Sequence, residues 1–250
     1  MREVRIEAAD GAMDARVFVP EERTGALPAV VLFTDIGGLR PSYDAKAQRV
    51  ADGGYAVLMP NVYYRDAAGQ VVPEERSFRE PEIRERLVGY GTRLTPDALG
   101  RDFTAILGFL DRDGAFATER GIGVVGYCMT GGFALRMAAA HPERVLAAAA
   151  FHSARLAPDG VADAPVSVVG GIRGRVYLGH ADKDEHLSAE QIGRVDRALA
   201  EAGVHFATEL FRGAAHGWTT ADAPSYDAEK DALHYERIFW FLGEAMGTGG

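Results

Sequence analysis

Short apolar runs alternate along this chain with segments whose apolar residues recur at helical spacing. Leu27–Phe33 and Val145–Phe151 are nearly continuous apolar runs, which is typical of strands buried on both faces of a parallel sheet. In 96–110 the apolar residues recur every three or four positions, as on one face of a packed helix. This order predicts an α/β fold with a doubly wound, mostly parallel sheet and helices on both faces.

Two segments depart from that order. Residues 4–18 alternate apolar and polar positions around Asp10-Gly11, which predicts two antiparallel edge strands joined by a turn. Residues 61–94 are rich in charge and too long for an ordinary connection. We expect a lid or cap there, or else a solvated, partly helical excursion. No long linker or repeat divides the chain, so 1–250 is predicted to be a single domain.

Composition narrows the classes of partner. The formal net charge of -9 leaves no basic excess with which to bind nucleic acid or an anionic membrane. No stretch approaches the roughly 18 apolar residues of a membrane span, and residues 1–20 lack the apolar core of a signal peptide. We therefore expect a cytoplasmic protein that acts on a small molecule, as a monomer or a homodimer.

The single cysteine of the chain lies between a predicted strand and a predicted helix. The strand contains β-branched Ile122, Val124 and Val125, and the helix-forming run 133–140 follows the cysteine. Cys128 itself stands among small residues in the turn. This layout is that of the nucleophile elbow in α/β-hydrolases, where a sharp turn lifts the nucleophile onto a helix N-terminus. The α/β-hydrolase fold with a cysteine nucleophile is therefore expected.

A thiol is mostly protonated at neutral pH, so a cysteine nucleophile needs a base. The hydrolase order places an acid after a later strand and a histidine before the last helix, and Asp182 and His216 occupy those places. His216 is expected to take the proton of Cys128, and Asp182 to fix the tautomer of the imidazole. Asp184, two residues further on, is the alternative acid.

The expected reaction is acyl transfer through the cysteine. Attack of Cys128 on a carbonyl carbon gives a thioester-linked acyl-enzyme, which water hydrolyses. The developing oxyanion needs two hydrogen-bond donors. The fold supplies the backbone N–H of Met129 and one from the loop after an early buried strand, around Ile36. This chemistry needs no metal and no other cofactor.

Four motifs together carry a resemblance to a known family. They are Gly126-Tyr127-Cys128-Met129 with Gly131-Gly132, Gly179 with Asp182, Gly213 with His216-Gly217, and Asp35-Ile36-Gly37-Gly38. The chain resembles the dienelactone hydrolases, the cysteine branch of the α/β-hydrolases, from about residue 5 to residue 243. The resemblance implies a hydrolase that opens an enol-lactone or cleaves a related ester. It also implies that Asp35 interacts with the resting thiol and that the amides of Ile36 and Met129 form the oxyanion hole.

Three positions depart from the pattern of that family. Asp35 stands where glutamate is usual, and Thr130 stands two residues after the nucleophile where glycine is usual. Thr220 occupies the position of an arginine that holds the substrate carboxylate. Dienelactone itself is therefore not assigned as the substrate. Arginines that could replace the missing cation, although solvated surface positions are expected for them, are Arg40, Arg65, Arg79 and Arg155.

Further side chains are candidates for substrate contact, with packing as the alternative role. They are Tyr64, Arg65, Arg79, His152 and Trp218. A second cluster has ligand-type residues at alternate positions, namely His180, Asp182, Asp184 and His186. A strand end followed by the catalytic acid explains this cluster better than a metal site does, so no metal is predicted.

The leading hypothesis is a hydrolase of lactones or small carboxylic esters. Thioesterase or acyltransferase activity is a second hypothesis, because the same acyl-enzyme can pass its acyl group to another acceptor. A non-catalytic small-molecule binder or thiol sensor on a hydrolase scaffold is a third, since a fold does not guarantee a function. The departures at Asp35 and Thr130 keep this third hypothesis open.

Overall fold

The computed structural model describes residues 1–73 and 75–248 in two compact units, Met1–Thr118 and a second that begins at Glu119. The described part of the first unit holds five strands and three helices. Its strands are β1 Arg2–Ala8, β2 Gly11–Phe18, β3 Leu27–Phe33, β4 Ala56–Pro60 and β5 Phe116–Ala117. Its helices are α1 Pro41–Asp52, α2 Pro81–Gly91 and α3 Pro96–Leu110.

The strands of the first unit lie in the order β1-β2-β4-β3, with the short β5 beside β3. β1 and β2 form an antiparallel hairpin in which Ala8 lies opposite Gly11, so the hairpin predicted from alternation is confirmed. Gly11 has a φ of 133°, a region that favours glycine. β3 and β4 are parallel, and β4 is buried throughout. This burial explains why the sequence of β4 is apolar without alternation.

Helix α3 begins where the sequence predicted. The Thr95 hydroxyl accepts a hydrogen bond from the amide of Ala98 at 3.2 Å, and Pro96 occupies the first helical position. The predicted apolar face is buried, and the ring of Phe103 lies 6.0 Å from that of Phe33 on β3. Burial of a side chain of this size stabilises the fold by roughly 1.5–3 kcal/mol. The apolar face therefore packs α3 against the sheet of the first unit.

The segment 61–94 is more buried than its charge predicts. Its described residues contain α2 and bury the side chains of Val62, Tyr63, Val71, Val72, Ile83 and Leu87. The rings of Tyr63 and Tyr90 are 5.7 Å apart. Apolar residues of this charged segment therefore join the core, because they point inward while the charged residues of α2 are exposed. Its action as a lid and the single-domain organisation stay predictions.

The described part of the second unit holds four strands, three α-helices and two 3-10 helices, of which the longer is Pro165–Gly171. A short 3-10 helix, Cys128–Thr130, connects the first of these strands to the first helix. The strands are β6 Ile122–Tyr127, β7 Val145–Phe151, β8 Arg175–Lys183 and β9 Phe206–Ala215, and the helices are α4 Gly131–Ala140, α5 Ala189–Glu201 and α6 Ala228–Met246. None of the described helices combines the length and the hydrophobicity needed to cross a bilayer.

The strands of the second unit are all parallel and lie in the order β6-β7-β8-β9. Ala150 and Phe151 are neighbours in β7 and point to opposite faces of the sheet. Ala150 lies beside Gly131 of α4, whereas the ring of Phe151 packs 4.4 Å from that of His234 on α6. Helices therefore cover both faces, and the predicted mostly parallel, doubly wound sheet is confirmed.

Two strands of the second unit run further than predicted. The apolar positions of 175–178 and 204–211 predict strands of that length, but β8 continues to Lys183, and β9 begins at Phe206 and continues to Ala215. The extensions contain the buried small residues Ala181 and Ala214, and alanine is a weak strand signal. As a consequence, Asp182 lies within β8 and not in the loop that follows it.

Candidate active site

The turn that carries Cys128 has little room for side chains. Cys128 has a φ of 56°, a left-handed conformation that costs a non-glycine residue about 1–3 kcal/mol. A Cβ at Gly126 would overlap the carbonyl of Thr130, and one at Gly131 would overlap the hydroxyl of Ser153. The small residues of the motif therefore permit a strained turn that presents the partly exposed thiol.

Thr130 fits the elbow through its hydroxyl. Its Oγ1 donates to the carbonyl of Tyr127 at 2.9 Å and accepts from the amide of the same residue at 2.9 Å. Thr130 has no exposed surface, so these bonds satisfy a polar atom that burial would otherwise leave without water. The residue that departs from the family pattern thus closes the turn onto the end of β6.

Three side chains from three loops meet at the thiol. His216 Nε2 lies 3.2 Å from Cys128 Sγ, and His216 Nδ1 lies 2.8 Å from Oδ2 and 3.0 Å from Oδ1 of Asp184. The side chain of Asp184 is 2% exposed and that of His216 is 20% exposed. Cys128 follows β6, Asp184 follows β8 and His216 follows β9. The carboxyl ends of neighbouring parallel strands therefore deliver a continuous line of thiol, imidazole and carboxylate.

The contact that the sequence predicted for Asp182 is made by Asp184. Asp182 is exposed and accepts a hydrogen bond from the amide of Gly213 at 2.9 Å. The reason is the length of β8, which keeps Asp182 paired beside β9 and leaves Asp184 as the first acid past the strand end. Residues 179–181 are buried and pair with 209–211 of β9, so the strand continues past the apolar run that ends at Leu178. The choice of Asp182 is thereby corrected to the alternative.

Two opposing effects act on the protonation of His216. Burial alone would lower its pKa, but the hydrogen bonds to Asp184 and to Cys128 raise the pKa of His216 to about 10. The carboxylate is itself buried, so its charge is poorly screened by water and favours the imidazolium. The ring beside the thiol is therefore stable in its charged form at neutral pH.

Two other imidazoles lie against His216. The ring of His152 is 5.3 Å away and that of His186 is 4.6 Å away, both edge to face. His152 is 1% exposed and its Nε2 lies 2.9 Å from Thr219 Oγ1. Trp218 has no exposed surface and packs against His152 at 5.1 Å. The substrate contacts expected of His152 and Trp218 are therefore corrected to packing, since neither side chain is accessible.

His186 is a site neighbour that sequence reasoning placed only in a candidate metal cluster. It is exposed, and its backbone amide donates to Asp184 Oδ1 at 2.8 Å. That bond closes a turn around the carboxylate, which holds the acid toward His216. Its spacing of two residues from Asp184 is the sequence signal for such a turn. No three His, Cys, Asp or Glu side chains are grouped for metal binding among the described residues.

The loop after β3 uses its acid locally. Arg40 donates to both carboxylate oxygens of Asp35, at 2.6 Å and 2.9 Å, and the amide of Gly37 donates to Oδ1 at 2.8 Å. Tyr63 donates its hydroxyl proton to the carbonyl of Ile36 at 3.0 Å. Arg40 is buried, so the expectation of a solvated surface arginine is wrong for it. The roles of Asp35 and Ile36 toward the thiol stay predictions.

The remaining substrate candidates of the first unit belong to an ion-pair network or to the surface. Tyr64 donates to Asp102 at 2.7 Å, and Arg65 pairs with Asp102 and Asp10, each at 2.7 Å. The Arg65 side chain is only 9% exposed, which corrects its expected surface position. Arg79 is exposed. Substrate contact by these three side chains stays a prediction.

Known proteins share the sequence pattern and the fold of this chain. A sequence model of the dienelactone hydrolase family matches residues 13–246. The carboxymethylenebutenolidase of Rhodococcus opacus is 29% identical over 231 residues, which cover 90% of this chain and 84% of that protein. A candidate dienelactone hydrolase from Klebsiella pneumoniae superposes with a TM-score of 0.83 at 21% identity over 97% of both chains. The structure named m3DLH gives 0.79 at 25% identity, over 98% of this chain and 97% of that one.

Proposed function

Because the chain belongs to the dienelactone hydrolase family, we propose that this hydrolase cleaves a lactone or small carboxylic ester through Cys128, His216 and Asp184. One observation carries the proposal. The thiol lies 3.2 Å from His216 Nε2, while His216 Nδ1 lies 2.8 Å from the Asp184 carboxylate. Hydrogen bonds thus link the nucleophile to the base and the base to the orienting acid, which is the geometry that acyl transfer needs.

The charge state of His216 supports attack by a thiolate. Although burial opposes it, the pKa of His216 is raised to about 10 by Asp184 and Cys128, so the imidazole holds its second proton at neutral pH. An imidazolium beside a thiol favours the thiolate, which is the nucleophilic form. His216 Nε2, 3.2 Å from Cys128 Sγ, therefore holds the proton that the leaving group needs.

Acylation then follows in two bond changes. Cys128 Sγ forms a bond to the carbonyl carbon, and the carbonyl π electrons move to oxygen to give an oxyanion. The backbone N–H of Met129, at the start of the helical turn, is the proposed donor to that oxyanion, with the Ile36 amide as the second donor that the family resemblance implies. The C–O bond of the ester breaks, and the leaving alkoxide takes the proton from His216.

Deacylation uses the same groups in reverse. His216, now neutral, takes a proton from water, and the hydroxide adds to the thioester carbonyl. The intermediate collapses with breakage of the C–S bond, which releases the carboxylic acid and restores the thiolate beside the imidazolium. Asp184, which is bonded to His216 Nδ1, stabilises the imidazolium in both half-reactions.

Thr220 bears on the kind of substrate. It is 1% exposed, and its hydroxyl has no hydrogen-bond partner among the described residues. It is neutral at the position where the family resemblance implies a carboxylate-binding arginine. A neutral ester or lactone is therefore proposed in preference to one that carries a carboxylate. Comparing an ester with its carboxylate-bearing analogue tests this preference, and a higher kcat/KM for the charged analogue contradicts it.

The acyl-enzyme provides the direct test. The wild type is mixed with an activated aryl ester, quenched with acid and weighed by mass spectrometry; we expect one added acyl group, located on the Cys128 peptide. Cys128→Ala should show neither the adduct nor hydrolysis above the background rate. Turnover by Cys128→Ala at the wild-type rate contradicts the mechanism. Added thiols or amines that divert the acyl group would instead indicate an acyltransferase.

A further inference from the structure

The open edge of the second unit is formed by β9. This strand is ten residues long and pairs with β8, and it ends the strand order of the described sheet. An edge strand presents unpaired N–H and C=O groups on its free side, which makes it a template for pairing with another strand. Long edges are usually blunted by proline or bulges; in β9 the register with β8 shifts beyond Phe211, whereas Phe206–Phe211 pairs regularly and contains no proline.

The exposed side chains of β9 lie on one face. Thr208, Leu210 and Arg212 alternate with more buried neighbours, so they point to the same side of the strand. Leu210 is 48% exposed at the middle of the strand. Trp240 of α6, beside the same strand, is 54% exposed and lines a cavity with Glu209. The edge therefore combines free backbone groups with exposed apolar surface, which marks interaction sites.

Two opposite charges on this edge have no ion-pair partner among the described residues. Arg212 is exposed and forms no ion pair within the described part of the chain, and Asp196 of α5 accepts a hydrogen bond only from the Thr208 hydroxyl, at 2.7 Å. Arg212 does not reach Asp196 of its own chain, because it lies four residues along β9 from Thr208, the residue that binds Asp196. Each charge is thus available to a partner that presents the opposite sign at the matching position.

Symmetry supplies such a partner. When the same strand of two copies pairs antiparallel, a two-fold axis normal to the sheet relates the copies. Directly opposite residues point to the same face of the sheet, so their numbers differ by an even number. The residue at the axis therefore lies opposite its own equivalent in the second copy. With Leu210 at the axis, the two Leu210 side chains meet, and Thr208 lies opposite Arg212 of the second copy. The guanidinium of each copy then faces Asp196 of the other, beside Thr208. Two ion pairs flank one apolar contact.

We propose that this chain forms a homodimer by antiparallel pairing of β9 with β9 of a second copy, centred on Leu210. Neighbouring registers are less favourable, because centring on Glu209 or on Arg212 places like charges directly opposite each other. The pairing joins the four parallel strands of the second unit to those of the second copy in one continuous sheet. It uses none of the residues proposed for the reaction, so it is independent of the proposed function.

A charge swap tests the register. Sedimentation over a range of protein concentrations is expected to show a wild-type dimer, with a dimer Kd raised about tenfold or more by Arg212→Asp or by Asp196→Arg, since each places like charges together. The double variant Asp196→Arg/Arg212→Asp restores the pair and should recover dimerisation. Arg84→Asp, an equal charge change on exposed α2, serves as the control. Hydrolysis of an aryl ester and circular dichroism confirm that each variant is folded.

A cross-link locates the axis independently. In a Cys128→Ser background, Leu210→Cys is expected to form a covalent dimer on oxidation, because opposite Cβ atoms lie about 4.5–5.5 Å apart. Thr208→Cys alone should not, whereas mixing the Thr208→Cys and Arg212→Cys variants should yield the mixed dimer. A wild type that stays monomeric at every concentration overturns the proposal. So does a dimer that is insensitive to Arg212→Asp, or equal cross-linking of Thr208→Cys and Leu210→Cys.

Discussion

Asp35 and Asp184 are acids in equivalent local settings with different partners. Each lies in a loop just past a buried parallel strand, and each carboxylate also accepts from a backbone amide two residues on, that of Gly37 or of His186. Asp35 is bound to Arg40, whose charge is permanent, whereas Asp184 is bound to His216, whose charge can change. The same loop geometry therefore holds a permanent ion pair in one loop and a titratable pair in the other.

Removal of the charge on Asp184 should give the largest effect on activity. Asp184→Asn keeps the shape but no longer stabilises the imidazolium, so kcat/KM for an aryl ester should fall about 10²–10⁴-fold. Asp182→Asn is the matched control and should change kcat/KM by less than about threefold, since Asp182 bonds to Gly213 and not to His216. A larger loss in Asp182→Asn than in Asp184→Asn would reverse the assignment.

Breaking the ion pair between Asp35 and Arg40 should mainly affect the stability of the fold. Arg40→Gln leaves the buried carboxylate of Asp35 without its cation, which should lower the free energy of unfolding by about 3–5 kcal/mol. Urea denaturation measures the change. Arg79→Gln, at an exposed position, is the control and should stay within about 0.5 kcal/mol of the wild type. An unchanged midpoint in Arg40→Gln contradicts the view that the Asp35 loop depends on the ion pair.

The Asp184–His216 and Asp35–Arg40 pairs should also differ in how their contributions to the free energy of unfolding depend on pH. The folded-state pKa of His216 is raised to about 10 from 6.5, so the protonated ring stabilises the fold fully below about pH 6.5, and this stabilisation is lost as the pH rises through 10. The difference in unfolding free energy between wild type and His216→Gln should therefore shrink from pH 6.5 to 10. The difference between wild type and Arg40→Gln should stay constant over that range. A His216→Gln difference that grows with pH contradicts the sign.

The smallest effect concerns the hydroxyl that holds the Asp35 loop. Tyr63→Phe removes the donor to the Ile36 carbonyl, which should lower the free energy of unfolding by about 0.5–1.5 kcal/mol. If the Ile36 amide also donates to the oxyanion, kcat should fall while KM changes little. Tyr226→Phe, which removes a hydroxyl bound to Asp231 in the second unit, is the control for kcat. A loss of kcat that is equal in both variants removes the reason to link Tyr63 to catalysis.

Local patterns predicted much of the fold because their causes are local. The strand Leu27–Phe33 matches its apolar run residue for residue, and the cap at Thr95 is a side chain bonding to its own helix. The order of Cys128, the acid and His216 could also be read from the chain. The ends of β8 and β9 could not, because a strand stops where its neighbour stops pairing, and that neighbour is distant in sequence.

The sequence by itself determined the elbow, its cysteine, the histidine that follows the last strand and the alternation of strands and helices, since each depends on spacing and side-chain shape. Only the tertiary structure decided which acid reaches the histidine, which arginine is buried and which imidazoles surround His216. Asp182 and Asp184 are chemically identical and two residues apart. The pairing of β8 with β9 separates them, and a distance set by two strands cannot be read from either strand alone.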